Sequence, residues 1–192
     1  QQTRMSTGLI YYKKFKKKYP NIKKLSEANS EALLKDWEGL GYYARAKNLH
    51  STAKFIQNEL SGIFPNSQKE LIKLKGVGRY SSSAIASICF NEKTPAIDGN
   101  VYRVLSRVFG IKLNISLNST YSCFYKKSMT LIKEFKSAGD YNQSLMDFGS
   151  IQCLPKKPLC SNCNQNKICY AFAYKKQDEL PVKKRSIMII KR

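Results

Sequence analysis

One histidine, His50, is all that the 192 residues contain of that type, and tryptophan also occurs once. A single imidazole argues against a metal site built from histidines, and His50 reads as a hydrogen-bonding residue on a helix face. Acidic side chains are scarce as well. Thirteen Asp and Glu (13) stand against 34 Lys and Arg, for a net charge of +21. That excess is beyond what solubility requires and points to a polyanionic partner, nucleic acid before an anionic membrane surface. No apolar run approaches the length needed to span a bilayer, so no membrane association is expected. The first residues lack a basic segment followed by an apolar one, so no secretory signal is expected either. No stretch reads convincingly as a strand, and there is no internal repeat.

What remains is helix after helix, with 42% hydrophobic residues to build a core. Ala46, Leu49, Ala53, Ile56 and Leu60 recur at three- and four-residue steps, which predicts one apolar stripe. Val101, Val104, Leu105 and Val108 predict a second. Phe124, Met129, Ile132 and Phe135 mark a third, and Leu145 and Phe148 lie in a fourth. Ser67 and Glu70 form a capping box that predicts a short helix through Leu74. Gly39 and Gly41 punctuate the end of the helix carrying Leu33, Leu34 and Trp37. The lysines at 13, 14, 16, 17 and 18 read as a solvated helix face with a modest share in binding nucleic acid.

Of six cysteines, four lie close together: Cys153, Cys160, Cys163 and Cys169, spaced C-x6-C-x2-C-x5-C. Such a set can enclose one metal centre, and thiolate ligands restrict it to zinc or an iron–sulfur cluster. Structural zinc sites more often show two close cysteine pairs. Only Cys160 and Cys163 form such a pair here, which tilts the reading to a [4Fe–4S] cluster. Lys156 and Lys157 in the loop could meet phosphates or simply be solvated. Cys89 and Cys123 stand alone in apolar stretches and are expected to be small buried hydrophobes. The pattern suits a reducing compartment better than a disulfide framework.

Between two helical patterns sits Leu74-Lys75-Gly76-Val77-Gly78-Arg79-Tyr80. Two glycines around one apolar residue allow a very tight turn, and the helix that follows directs its free N–H groups outward, a ready phosphate site. An ordinary helix–helix turn would have the same glycines. A dinucleotide-binding loop is disfavoured, because Ser81 stands where the third glycine belongs and a helix, not a strand, precedes the turn.

Together these features resemble the helix-hairpin-helix DNA glycosylases of the endonuclease III superfamily, and within it the MutY-type adenine glycosylases. The resemblance runs along nearly the whole chain. It is carried by Gln1-Gln2-Thr3, by the stretch from Trp37 to Ala46 with Asn48-Leu49-His50, and by the hairpin Leu74 to Tyr80. Further on come Ile97-Asp98-Gly99-Asn100-Val101 with Arg103-Val104, the cysteine spacing, and Glu179-Leu180-Pro181-Val182-Lys183. The fold it implies is all-α, a six-helix barrel domain packed against an iron–sulfur cluster helical domain. The implied boundaries are 1–108 for the barrel with the hairpin at about 66–90, 109–178 for the cluster domain with its loop at 153–169, and 179–192 for the start of an interdomain linker.

The resemblance also assigns roles. Asp98 stabilises the positive charge that develops on the sugar as the N-glycosidic bond breaks; read from the residues alone, it would be a helix N-cap. Asn100 orients Asp98 or a sugar-phosphate group. Tyr80 occupies the hairpin position where lyase members carry a lysine that forms a Schiff base, which a phenol cannot do. Hydrolysis without strand scission is therefore expected. Gln2 and Tyr42 probe the helix around an extruded base. Gln1, Thr3, Arg45, Lys75, Gly76, Val77, Gly78 and Gln143 complete the implied DNA contacts. The implied cofactor is one [4Fe–4S] cluster on the four cysteines. The implied substrate is double-stranded DNA with a mispaired or oxidised base, namely adenine opposite 8-oxoguanine or guanine. The protein is expected to be a monomer in the cytoplasm with the nucleoid, or in a nucleus.

In this family a glutamate a few residues before the QQT segment protonates adenine. That position precedes Gln1, and Glu38 is not a substitute for it. The apolar stretch Ile187 to Ile190 looks like the start of something cut off. The chain is therefore expected to be a fragment of a longer protein, without the glutamate segment and the C-terminal 8-oxoguanine-reading domain, and to bind DNA yet cleave little. A non-catalytic iron–sulfur DNA-binding module and a thymine-mismatch or endonuclease III-type glycosylase are the other readings.

Overall fold

The computed structural model describes Thr3 and residues 5–184. All regular structure among them is helical, in the order α1 Met5–Lys18, α2 Ile22–Ser26, α3 Ser30–Asp36, α4 Ala44–Glu59, α5 Gln68–Leu71, α6 Arg79–Phe90, α7 Gly99–Phe109, α8 Tyr121–Ile132, α9 Ala138–Ile151 and α10 Tyr170–Ala173. The all-α expectation holds. Contacts divide the chain into two compact units, Gln1–Gly78 and Arg79–Arg192, so the division falls at the glycine hairpin. Val108, the end of the first domain implied by the sequence, lies one residue before the end of α7.

The first unit is built on α4, against which α2 and α3 pack. Ala46, Ala53 and Ile56 point inward from α4 and meet a core that includes Leu33, Leu71 and Leu74. Leu49, expected in the same stripe, is 38% exposed instead. Asn29 starts α3 by accepting from the Glu31 and Ala32 N–H groups. Along α1 the lysines at 13, 14, 16, 17 and 18 are exposed, as a solvated face requires. The other face of α1 sets Phe15 edge-on to Trp37, with centroids 5.4 Å apart. At its end, the Tyr19 hydroxyl donates to Asp36 (2.7 Å) and Lys18 pairs with the same carboxylate (2.6 Å). The capping box at Ser67 forms, with Ser67 Oγ accepting from the Glu70 N–H and donating to its carboxylate. Its helix stops at Leu71, however, and residues 72–76 continue as turns and a bend.

In the second unit α9 is the central element, touching α6, α7 and α8. Ile97, Val101, Leu105 and Phe124 form one core cluster, with Ile132, Ala138 and Tyr141 in another. Asn142 is 1% exposed and fully used. It donates to Ser87 Oγ and to the Thr94 carbonyl and accepts from the Ala96 N–H, which fixes α9 against α6 and the segment before α7. Helix α7 ends on Gly110 at φ +67, where any Cβ would lie 2.7 Å from the Tyr170 ring. Cys89 and Cys123 are exposed, against expectation. Each faces outward from a helix whose inner face is taken by neighbours such as Ser87 and Phe124.

Candidate active site

Asp98 is the N-cap of α7, in extended conformation, and its Oδ1 accepts from the Val101 N–H (2.8 Å). Its other oxygen accepts from the Asn100 side-chain amide (3.0 Å). Both carboxylate oxygens are therefore held from the same helix start. Asn100 passes the restraint on: its Oδ1 accepts from Arg103 (2.8 Å). Arg103 also donates to the Gly149 carbonyl (2.6 Å) and the Cys153 carbonyl (2.8 Å). Gly149 makes room for this, because a Cβ there would lie 2.6 Å from Asn100 Cβ.

Tyr80, in the first turn of α6, donates its hydroxyl to Met146 Sδ (3.2 Å) and is 40% exposed. Burial, and after it the negative charge of Asp98, push its phenol up. The same ring therefore senses the carboxylate while its hydroxyl rests on α9. Gln143, also on α9, donates to Asp147 (2.8 Å) at an exposed position.

In the first unit, Gly76 turns the hairpin at φ +80, with its missing Cβ 2.7 Å from Asn48 Cβ. Val77 is half-buried and its N–H donates to the Leu74 carbonyl (3.1 Å), while Lys75 and Gly78 are exposed. Ahead of α4 Tyr42 is 68% exposed, and in its first turn Arg45 is half-buried. Thr3 Oγ1 accepts from Arg45 (2.8 Å). Gln1 and Gln2 lie outside the described residues.

Cys153, Cys160, Cys163 and Cys169 all line one cavity. None is in a disulfide. Among the described residues no group of three or more His, Cys, Asp or Glu is gathered closely enough for a single metal ion. Four thiols lining one cavity are a soft donor set. Hydrogen-bond donors approach three of the four sulfurs. The Gln165 N–H lies 3.4 Å from Cys163 Sγ, the Gln177 amide 3.9 Å from Cys160 Sγ and an Arg107 nitrogen 3.5 Å from Cys153 Sγ. Burial pushes the Cys160 thiol up and its three partner cysteines add to this, opposed by the Gln177 hydrogen bond.

The sequence reading assigned no role to Arg103 or Arg107, yet both are buried, 8% and 2% exposed. Arg107 donates to the carbonyls of Leu154 (2.6 Å), Pro155 (3.0 Å), Gln177 (3.1 Å) and Leu180 (2.9 Å). The available signal was their spacing: two arginines four apart, inside the apolar stripe of α7.

The family described as HhH-GPD superfamily base excision DNA repair protein matches residues 1–133. The adenine DNA glycosylase of Buchnera aphidicola subsp. Baizongia pistaciae is 38% identical over 190 residues, which are 99% of this chain and 53% of that protein. That of Arabidopsis thaliana is 39% identical over 197 residues, 93% of this chain and 31% of the relative. The human adenine DNA glycosylase is 37% identical over 181 residues, 94% and 33%. The chain thus spans about half or less of the length of these relatives. Among solved structures, a thermostable thymine-DNA glycosylase superposes with a TM-score of 0.81 at 29% identity, covering 91% of this chain and 80% of that one. An endonuclease III–DNA complex gives 0.72 at 22% identity, over 91% and 79%, a likeness of fold alone.

Proposed function

This chain belongs to the HhH-GPD superfamily of base excision DNA repair proteins, and from that membership we propose that it serves an adenine DNA glycosylase. The reaction is hydrolysis of the N-glycosidic bond of adenine mispaired with 8-oxoguanine or guanine in duplex DNA. One observation carries the reading: the Asp98 carboxylate is held by the α7 N-terminus and Asn100 at the position that the DGN resemblance assigns to chemistry. As the bond to adenine lengthens, the sugar becomes cationic, and a fixed carboxylate stabilises it without having to reorganise. Asn100 keeps the second oxygen in place. Tyr80 stands at the site with a phenol, so no amine is offered there for a Schiff base, and the product is an intact strand with an abasic site.

DNA binding follows from charge and from the hairpin. A chain at +21 is drawn to phosphates by counterion release. Lys75, Gly76, Val77 and Gly78 bring backbone close to the strand, ahead of the first turn of α6. Tyr42 and Gln2 probe the base stack, Gln1 and Thr3 add contacts to the DNA, and Gln143 contributes from α9. Residues 1–108 act as the base-extruding part and 109–178 as the cluster-bearing part of a monomer. No helix among the described residues is long and apolar enough to cross a membrane. The work belongs with chromosomal DNA in a reducing compartment, bacterial cytoplasm or a nucleus.

Cys153, Cys160, Cys163 and Cys169 would hold a [4Fe–4S] cluster. With four cysteine ligands it supplies structural cross-linking rather than substrate chemistry. Lys156 and Lys157, exposed on the same loop, face solvent where phosphates can be met.

A thymine-releasing activity is the second reading, favoured by the TM-score of 0.81 to the thymine-DNA glycosylase. One experiment separates the readings. Duplexes with adenine opposite 8-oxoguanine, adenine opposite guanine, or thymine opposite guanine are incubated with the chain, extended at its N-terminus by a segment that carries a glutamate, and then treated with hot alkali. Alkali-dependent cleavage at adenine is expected, and Asp98→Asn lowers its rate by about 10²–10³-fold with Kd unchanged. Cleavage at thymine moves the assignment to the second reading. Affinity without release of either base makes the chain a binding module.

A further inference from the structure

The Arg45 side chain, expected to reach DNA, is already committed inside the protein. One terminal nitrogen donates to the carbonyls of Leu40 (3.1 Å) and Gly41 (3.4 Å), and the other donates to Thr3 Oγ1 (2.8 Å). Its backbone N–H donates to the Tyr42 carbonyl (2.9 Å). One residue thus takes three successive carbonyls of the loop ahead of α4. Its guanidinium also lies over two rings, 5.5 Å from the Trp37 centroid and 5.5 Å from that of Tyr42. Trp37 reinforces the arrangement by donating its indole N–H to the Gly41 carbonyl (3.0 Å).

That loop does not hold itself. Gly39 (φ 92), Gly41 (φ 65) and Tyr42 (φ 47) all have left-handed backbone. For Tyr42, which has a Cβ, this backbone is strained and carries a cost. Its ring is 68% exposed, too little packed to offset that cost alone. We propose that Arg45 is a positioning residue, which holds Tyr42 in its strained, outward-facing conformation so that the ring can enter the base stack, and which makes no phosphate contact of its own. What Tyr42 does rests on the glycosylase reading; what holds Tyr42 does not.

The test uses Arg45→Gln, Arg45→Lys, Tyr42→Ala and the double variant Arg45→Gln/Tyr42→Ala. Kd is measured for a matched duplex and for one with adenine opposite 8-oxoguanine across a salt series. Trp37 is the only tryptophan in the chain, so its emission reports on the guanidinium above it. Both Arg45 variants are expected to shift that emission and to lower the mispair preference by about 10-fold, to the level of Tyr42→Ala. The double variant is expected to match Tyr42→Ala, and Arg45→Gln to leave the salt slope unchanged. A slope smaller by about 1 assigns Arg45 to a phosphate and overturns the proposal. So does a double variant that falls below Tyr42→Ala. Lysine keeps the charge and the stem but lacks the planar fork, and guards against loss of fold in the glutamine variant. Full mispair preference in Arg45→Lys overturns the clamp. A wild-type chain with no mispair preference refutes the glycosylase reading instead, and the clamp is then decided by Trp37 emission: unchanged in both Arg45 variants, it overturns the proposal.

Discussion

Asp36 shows what a single side chain contributes away from the chemistry. Its carboxylate is 12% exposed and bridges the end of α3 to the end of α1 through Tyr19 and Lys18. Burial alone would raise its pKa, but the hydrogen bonds from Lys18 and Tyr19 outweigh burial and hold it below the ordinary 3.8. Burial, then the bond to Asp36, push the Tyr19 phenol up to about 12. The signs give two limits. A lowered carboxylate stabilises the fold above its unfolded pKa, and this is lost as pH falls through the folded value. A raised phenol stabilises it below about pH 10, and this is lost as pH climbs toward 12. Urea unfolding of Asp36→Asn should therefore show a deficit against wild type at pH 6 that shrinks below pH 4. An equal deficit at both ends would refute the coupling. Asp98 was legible as a cap from the residues alone, because a carboxylate at a helix start satisfies that pattern, while the catalytic role proposed for it came only from the resemblance. Arg103 and Arg107 were not. Their partners are backbone carbonyls brought near only by tertiary packing, which no local pattern encodes.

At the scale of elements, the approach of α9 to α7 depends on one missing side chain. A Cβ on Gly149 would lie 2.6 Å from Asn100 Cβ and 3.2 Å from Asn100 Cα. Backbone cannot yield as a flexible side-chain tip does. Gly149→Ala should then cost about 1–3 kcal/mol of stability and slow base release, since Asn100 carries the second Asp98 oxygen. Gly99→Ala is the control for stability, as a Cβ there meets nothing within 4 Å. A melting temperature lowered equally by both would remove the argument. Capping boxes and apolar stripes made most of these helices visible in the sequence, because they obey local rules. The failures occur where a helix is amphipathic in a less regular way. Phe135 is 45% exposed beyond the end of α8, and Cys89 lies on the outer side of α6. Helix α5 is shorter than its capping box suggests because the chain must turn toward Gly76.

For the molecule as a whole, the imbalance of charge continues indoors. Arg103 and Arg107 are buried, and the described salt bridges of the chain lie at Asp36, Glu27 and Glu179, far in sequence from both. Backbone carbonyls satisfy their N–H groups but do not cancel their charge. The cysteine cavity lies beside one of them, with an Arg107 nitrogen 3.5 Å from Cys153 Sγ. Stability of the second unit should therefore depend on a filled cavity. Purified chain is expected to be brown, with absorbance near ~400 nm from sulfur-to-iron charge transfer. Cys160→Ser should lose that colour and melt at lower temperature. Colourless wild-type protein with stoichiometric zinc would refute the cluster.

The Arg107 side chain has a mechanical consequence. It fastens Leu154 and Pro155 on one side of the cysteine loop, and Gln177 and Leu180 beyond its far side, to the same turn of α7. Continuity of the backbone through the exposed pair Lys156-Lys157 is then redundant: a protease that nicks the chain there severs a covalent link without releasing either new end.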